Sequence, residues 1–361
     1  MRRLAIPRLV LLAVALPALH GCELLQGDEQ ALPAPLASVY EPPIVSDRFL
    51  LSAPGRRVVG ELQRIEAREY DTFVDIARAY NLGFDELVQA NPDVDPWLPG
   101  AGTSVMLPTQ FIIPDVPQEG IVINVAAKRL FYFPGPAAEG EPPAVVTYPI
   151  GIGREGAATP TGRTTVTGKG RDPVWFPTAS IRREYAADGN PLPRQVPPGP
   201  DNPLGRYVLI LGMPSYLIHG TNRPAGVGMR VSHGCVRLFP ENIEQLYAVA
   251  PVGVSVTIVN EPWLAAWHQS RLLLEAHPPL VDDDRDWPAQ LDALLVGSLP
   301  PDVAPDAIDR ALAAQVAAAA NGVPLAVSAG SPGPLAAFAQ SRRVNNLVEP
   351  WVAPVAVSVA D

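Results

Sequence analysis

The residue types best suited to chemistry lie together in one glycine-rich stretch, residues 219–237. This stretch contains His219, His233, Cys235 and Arg237, and the chain has only two cysteines in all. A thiol attacks a carbonyl as the thiolate, so it needs a neighbouring base or positive charge, and the two histidines and the arginine are candidates. The stretch therefore predicts a cysteine nucleophile.

Cys235 directly follows Gly234, at a point where a strand can turn into a helix that begins at Pro240. At such a turn, backbone N–H groups can point at the atom that the sulfur attacks, as in an oxyanion hole. We expect the N–H groups of Gly234 and Cys235 to be the oxyanion donors. His219 ends a predicted strand that can lie beside the cysteine, which makes it the predicted base. A nearby backbone carbonyl, such as that of Gly220, would fix its tautomer.

The remaining charged groups of the stretch are assigned supporting parts. His233 lies two positions before the cysteine and could point away from it, so we expect an auxiliary role in orienting substrate or the oxyanion. Arg237 could lower the thiol pKa or bind a substrate carboxylate, and the alternative is a surface ion pair worth ~0–1 kcal/mol. His268 and His277 lie outside the stretch, and we expect no chemical role for them.

This stretch resembles the catalytic motif of L,D-transpeptidases, which reads His-Gly-Thr, a glycine-rich spacer and Ser-x-Gly-Cys-(Val/Ile)-Arg. The residues that match it one by one are His219, Gly220, Thr221, Gly228, Ser232, Gly234, Cys235 and Arg237. Residues 159–162 and 198–205 match as well, so that the resemblance covers a catalytic domain at 119–260. It implies that Cys235 cuts a peptidoglycan stem tetrapeptide before its terminal D-alanine and holds the stem as a thioester. An amine then resolves the thioester.

The resemblance also implies a set of substrate contacts and no cofactor or metal. The predicted substrate-binding residues are Gly220, Thr221, Ser232 and Tyr216. A zinc hydrolase is the alternative, since two histidines and a cysteine are possible ligands, but their spacing matches no zinc motif and no carboxylate base is obvious. The proline-rich segment 191–205 is too long for a simple turn, and we expect it to form a wall of the active-site cleft.

Composition limits the class of protein before any motif is considered. A length of 361 residues suggests two or three domains, and a net charge of −10 argues against nucleic-acid binding. The chain has 43 prolines and 29 glycines, which favour short strands and loops over a long parallel sheet. We expect a mainly β fold with some helices.

The N-terminus is typical of an exported lipoprotein. Residues 1–21 read as a signal peptide, with the apolar run 9–16 too short to span a bilayer, and Leu-His-Gly-Cys at 19–22 resembles a lipobox. We expect Cys22 to be lipidated, which would place the protein in the periplasm on the outer membrane, since Glu23 follows rather than Asp. An ordinary cleaved signal or a short membrane anchor is the alternative. Residues 22–60 fit a tether that ends in an entry strand.

Residues 61–113 are predicted to form a small separate module. A helix at 70–80 and a second at 84–90, flanked by strand-like sequence, give the order β-α-α-β, which resembles a LysM peptidoglycan-binding domain. A structural domain that only packs on its neighbour is the alternative.

The period then changes to that of short strands. The predicted strands are 121–125, 129–133, 144–148, 164–168, 207–211, 216–219 and 255–259, which indicate a β-sandwich-like or closed mixed sheet. A helix is expected from Pro240. Residues 261–361 form a C-terminal extension, partly of low complexity, with a helix at 306–320; whether it straps onto the catalytic domain stays open.

The resemblance further implies which amine resolves the thioester. The order of module and catalytic domain is similar to transpeptidases that attach an outer-membrane lipoprotein to the wall, so the expected acceptor is a lysine of such a protein. A second stem peptide, giving a 3→3 cross-link, and water, giving hydrolysis, are the alternatives. A non-catalytic wall-binding lipoprotein is disfavoured by the intact set of Cys235, His219 and Arg237.

Overall fold

The computed structural model describes residues 48–349, apart from 52, 54 and 136–141. The predicted signal peptide, Cys22 and the first part of the predicted tether lie outside the described residues. Within them, no helix is long and apolar enough to cross a membrane.

The strands are short, as the proline and glycine content requires. They are β1 Arg48–Leu50, β2 Val58–Gly60, β3 Gln63–Glu66, β4 Ser104–Leu107, β5 Gln110–Ile112, β6 Gly120–Asn124, β7 Arg129–Phe133, β8 Ala144–Pro149, β9 Ile152–Gly153, β10 Gly162–Arg171, β11 Tyr207–Leu211, β12 Leu217–His219, β13 Arg230–Ser232, β14 Val236–Arg237, β15 Ser255–Val259, β16 Trp263–His268, β17 Arg271–Ala276, β18 Leu325–Ala326 and β19 Arg342–Arg343. The helices are α1 Phe73–Ala79, α2 Phe84–Ala90, α3 Ala179–Ala187, α4 Pro240–Val249, α5 Trp287–Gly297, α6 Arg310–Ala319 and α7 Pro334–Gln340.

One curled sheet of nine strands carries the catalytic motif. Its order is β1-β8-β7-β6-β15-β10-β11-β12-β14. The long strand β10 joins the two halves. It pairs with β15 over its first residues and with β11 from Val166 onwards, with a register shift between Val166 and Gly168. A core of buried side chains fills the curl, closed by Ile243 and Leu246 of α4. The predicted class, mainly β with helices, is confirmed.

Residues 61–113 adopt the predicted strand, helix, helix, strand order, and we call them the βααβ module. Thr72 caps α1 through a hydrogen bond from the Asp75 N–H, and α2 begins after Gly83. The module does not have a core of its own, because its apolar side chains share one cluster with Val122 and Phe131 of the large sheet. Since side chains alternate along a strand, β6 and β7 pack one face into the curl and the other against the module.

A buried ion pair crosses this interface. Both oxygens of Glu86 on α2 lie 2.7 Å from guanidinium nitrogens of Arg129 on β7. Arg129 also donates to the Asn81 carbonyl at 3.1 Å and lies over the ring of Phe111. The guanidinium thus has partners on several sides, as a buried charge requires.

The structure describes two short strands at the end of the predicted tether, where one entry strand was expected. β1 pairs with β8 at the edge of the large sheet, and β2 pairs with β5 of the module. Residues 48–60 therefore belong to the folded unit. Strands of three residues paired to distant partners leave no period in the local sequence, which is why they read as tether.

The described part of the C-terminal extension is folded and packs on the module. β16 and β17 form a hairpin, and their cluster includes Leu312 and Val316 of α6, the predicted helix. Residues 342–349, which we call the strap, run along the module. β19 pairs in parallel with β3, and Val344 is fully buried.

Candidate active site

The two motif halves meet on adjacent strands. β12 and β14 pair in parallel, with Ile218 opposite Val236 and His219 opposite Arg237. Residues two apart in extended chain point to the same side, so Cys235, Arg237 and His219 share one face of this strand pair. This shared face is the arrangement that the predicted role of His219 requires.

His219 is buried and uncharged. Its Nδ1 lies 2.6 Å from the Gly220 carbonyl oxygen, which can only accept, so Nδ1 carries the hydrogen and Nε2 is left as the base. Burial lowers the pKa of His219 to about 3, the Arg237 charge acts in the same direction, and backbone hydrogen bonds to Gly220 and Leu204 oppose it. The expected contact with Gly220 is present.

Cys235 is a partly buried thiol. Its Sγ lies 3.7 Å from the Ser215 carbonyl oxygen. Burial raises the pKa of the Cys235 thiol, while a hydrogen bond from the Leu217 backbone and the Arg237 charge oppose this in part. The resting site thus holds a neutral thiol and a neutral imidazole rather than a preformed thiolate and imidazolium.

Arg237 supplies the positive charge of the site. Burial lowers the pKa of its guanidinium, but an arginine remains protonated at neutral pH. Its buried Nε has no hydrogen-bond partner among the described residues, and no ion pair involves it there. The alternative of a surface ion pair does not describe Arg237.

Ser232 and Gly234 build the turn that presents the cysteine. Ser232 Oγ accepts the Gly234 N–H at 3.1 Å and donates to the Cys235 carbonyl at 2.6 Å. Thr159 Oγ1 donates to the Gly234 carbonyl at 2.8 Å and accepts the Gly153 N–H at 2.9 Å. We expected the Gly234 N–H to be an oxyanion donor. The structure contradicts this, because the Gly234 N–H already donates to Ser232 Oγ.

Glycine is required at position 234 for two reasons. Its φ of +105° lies in the region that residues with a side chain rarely adopt. A Cβ there would also lie 2.7 Å from a ring carbon of Tyr216. Tyr216 thus packs directly against the turn, and Ser232 is almost fully buried inside it.

His233 points to a different set of partners. Its Nε2 lies 3.1 Å from Oε2 of Glu184 on α3, and Arg154 reaches the same oxygen at 2.6 Å. Sequence reasoning missed Glu184, because α3 belongs to a long connection without a motif and has no buried residue. The one signal in the sequence is the set of charged residues and the tyrosine within α3 itself.

The proline-rich segment ends beside His219. Asn202 is fully buried, and its side chain donates to the Pro173 carbonyl at 2.8 Å and accepts the Leu204 N–H at 2.9 Å. Between this segment and α4 lies a cavity of about 530 Å³ whose lining includes Gly220 and Thr221. Thr221 is buried, with Oγ1 accepting the Arg223 N–H.

Comparison with known proteins decides the family. The profile of the L,D-transpeptidase catalytic domain matches residues 118–258. The probable L,D-transpeptidase YcfS of Escherichia coli is 43% identical over 251 residues, which are 67% of this chain and 77% of that protein. The chain belongs to the L,D-transpeptidase family.

A second relative is also described as a probable L,D-transpeptidase, and solved structures of L,D-transpeptidases match a part of the chain. The probable L,D-transpeptidase ErfK/SrfK of Salmonella typhimurium is 38% identical over 295 residues, covering 79% of this L,D-transpeptidase and 92% of its relative. The catalytic domain of the Enterococcus faecium L,D-transpeptidase is 19% identical, with a TM-score of 0.29 over 40% of this chain and 99% of that one.

Proposed function

We propose that this L,D-transpeptidase transfers the acyl group of a stem tetrapeptide to a lysine amine of a membrane-anchored protein, with Cys235 as nucleophile and His219 as base. The observation that supports it is the shared face of these two residues with Arg237. The thiol and the imidazole are both neutral at rest, so the proton moves when the sulfur attacks.

The first half-reaction forms the thioester. Cys235 Sγ bonds to the carbonyl carbon of the third residue, and its proton passes to His219 Nε2. The tetrahedral intermediate then breaks its C–N bond, and the same proton goes to the departing amine of D-alanine. The low pKa of His219 favours this return of the proton, and together with the raised pKa of Cys235 it makes removal of the thiol proton the costly step.

The second half-reaction repeats the sequence with the acceptor. The amine nitrogen bonds to the thioester carbon and gives one proton to His219, and the C–S bond breaks as the thiolate takes that proton back. The charge of Arg237 stabilises sulfur as it leaves. The Cys235 N–H is the donor that we assign to the oxyanion, since the Gly234 N–H is engaged by Ser232.

A direct test of the nucleophile uses a carbapenem as substrate mimic. We expect the mature wild-type protein to gain the mass of the antibiotic on Cys235, and Cys235→Ser to gain none. Adducts on another residue would contradict the assignment. Activity that a chelator leaves unchanged would separate this reaction from a zinc-dependent one.

The lysine acceptor rests on the N-terminal sequence. A lipid on Cys22 would hold the enzyme in the periplasm at the outer membrane, where lipid-anchored proteins reach it at high effective concentration. Deletion of the gene should then lower the amount of protein that muramidase releases covalently bound to wall fragments. Wild type should restore it, whereas Cys235→Ala should not. Unchanged bound protein with a loss of 3→3 dimers would favour the cross-linking alternative.

We also propose that the βααβ module binds wall glycan as a LysM-like domain. Tyr70 and Trp97 are among its exposed aromatic side chains, and Trp97 lies with its ring centroid 5.5 Å from that of Phe84. Exposed rings of this kind suit the apolar faces of sugars. Trp97→Ala should reduce co-sedimentation with purified walls, while Leu98→Ala, at an equally exposed neighbour, should not. Equal sedimentation of both variants and wild type would refute the proposal.

A further inference from the structure

The loop between His219 and Cys235, which joins the two halves of the catalytic motif, contacts the βααβ module through backbone atoms. The Phe84 N–H, at the first residue of α2, donates to the Val227 carbonyl at 3.2 Å. A Cβ added at Gly83 would lie 2.7 Å from the Gly228 Cα, and one added at Gly228 would lie 2.3 Å from the Gly83 Cα. Two glycines from distant parts of the chain are therefore in direct contact.

The module side of this contact is fixed to the large sheet. The Gly83 N–H donates to Glu86 at 2.6 Å, and Glu86 is held by Arg129 at the start of β7. The Asn81 side chain donates to the Thr147 carbonyl of β8 at 2.9 Å. Residues just before α2 thus have little freedom to move relative to the catalytic sheet.

The loop side of the contact leads directly to the nucleophile. Gly228 has a φ of +88°, and the next residue, Met229, accepts the Ile152 N–H at 3.0 Å. β13 follows at once and ends at Ser232, whose hydroxyl holds the turn at Gly234. A shift at Gly228 would therefore be transmitted over a few residues of extended chain to Cys235.

We propose that the βααβ module is a positioning element of the transpeptidase reaction, in which the Gly83–Phe84 step holds Val227 and Gly228 so that Cys235 meets His219 in reactive geometry. This role is separate from glycan binding and rests on the proposed parts of Cys235 and His219. It also gives a physical reason for glycine at position 228 of the motif, since any side chain there would collide with the module.

Gly83→Ala is the decisive variant. Gly83 has a φ of −84°, which alanine adopts without strain, so the substitution acts through the new Cβ, which would lie 2.7 Å from the Gly228 Cα and 3.3 Å from Glu86 Oε2. Because displacements of about 1 Å can cost ~10²-fold in rate, we expect the maximal rate of Cys235 acylation to fall about 10- to 100-fold. The matched control is Gly333→Ala, at a helix N-cap with a φ of −68° and open space around it.

A second pair of variants tests the hydrogen bond. Phe84→Pro replaces the N–H by a ring carbon facing the Val227 carbonyl, at a position where helices accept proline, and Phe84→Ala deletes the aromatic ring but keeps the N–H. We expect Phe84→Pro to slow acylation several-fold more than Phe84→Ala. This comparison keeps the proposal testable should Gly83→Ala fail to fold.

The assay uses the full mature chain and a soluble tetrapeptide without glycan, read by single-turnover intact mass at saturating substrate. The reactive fraction is counted from the final amplitude, so that the rate constant refers to folded sites only. A lower rate constant at unchanged amplitude supports positioning. Wild-type rate constants in Gly83→Ala, or a loss confined to amplitude, would overturn it. Absence of acylation on Cys235 in wild type would instead refute the proposed nucleophile.

Discussion

At the interface between the module and the sheet, the charge of Arg129 is matched by the carboxylate of Glu86. In the active site, Arg237 has no acidic partner among the described residues, and the thiol and imidazole that share its face are neutral. The first arrangement is one that holds parts together. The second keeps a positive charge available for groups that become negative during the reaction, which are the sulfur and the oxyanion. The two arginines therefore differ in whether a carboxylate of the described chain neutralises them: the paired Arg129 stabilises an interface, and the unpaired Arg237 is available to the reaction.

The largest expected effect is on the reacting side. His219→Ala removes the proposed base, so we expect acylation of Cys235 by a tetrapeptide to fall by about 10²–10⁴-fold. Single-turnover intact mass measures it, with circular dichroism as the check on folding. A loss below tenfold would mean that another group takes the thiol proton.

The corresponding change on the holding side is Glu86→Gln, which leaves Arg129 buried without its counter-charge. We expect the free energy of unfolding to fall by about 3–5 kcal/mol in urea titrations. The control is Glu241→Gln, since Glu241 pairs with Arg78 at the surface, where a pair is worth ~0–1 kcal/mol. Equal effects of the two variants would contradict the distinction.

Acid should destabilise the fold through His219. Its pKa is about 3 in the folded protein and near 6.5 when unfolded, so the unfolded chain binds the extra proton between these values. Stability due to the neutral imidazole is thus full above pH 6.5 and is lost as pH falls towards 3. At pH 5 we expect a loss of about 2 kcal/mol. Urea titrations of wild type and His219→Gln at pH 7.5 and 5 measure this, and equal pH dependence would refute it.

The smallest expected effect is at His233. Its ring pairs with Glu184 and is not the proposed base, so His233→Ala should slow acylation by at most about 10²-fold, the lower end of the cost of one lost contact. The same single-turnover assay applies. A larger loss than that of His219→Ala would mean that the roles of the two histidines are reversed.

The sequence predicted the bounds of strands and helices correctly where the apolar pattern and the flanking residues indicate the same element. β7, β11, β15 and α2 have the predicted bounds, because alternating or periodic apolar residues are flanked there by glycine, proline or asparagine. The predicted strand that ends at His219 is present as β12. The contact of His219 with the Gly220 carbonyl was also predicted, because a partner is needed to fix the tautomer of the base.

What the sequence did not reveal depends on partners far away in the chain. β1 and β2 are too short to show a period, and Glu184 lies on a helix without a buried face. The Gly234 N–H was assigned to the oxyanion because nothing in the sequence shows that Ser232 would accept it. Contacts of this kind are decided by tertiary packing rather than by local propensity.

The strap pairs the end of the described chain with the first strand of the module. Arg342 lies opposite Gln63, and the Arg64 side chain donates to backbone carbonyls that include those of Phe338 and Ala339. Such contacts between distant parts of a chain form slowly, since most of the polypeptide must be brought into a closed loop first. The edge of β3 that faces away from β4 therefore stays open until residues 342–349 have folded onto it. The module reaches its final hydrogen bonding only when a segment far along the chain has paired with its first strand.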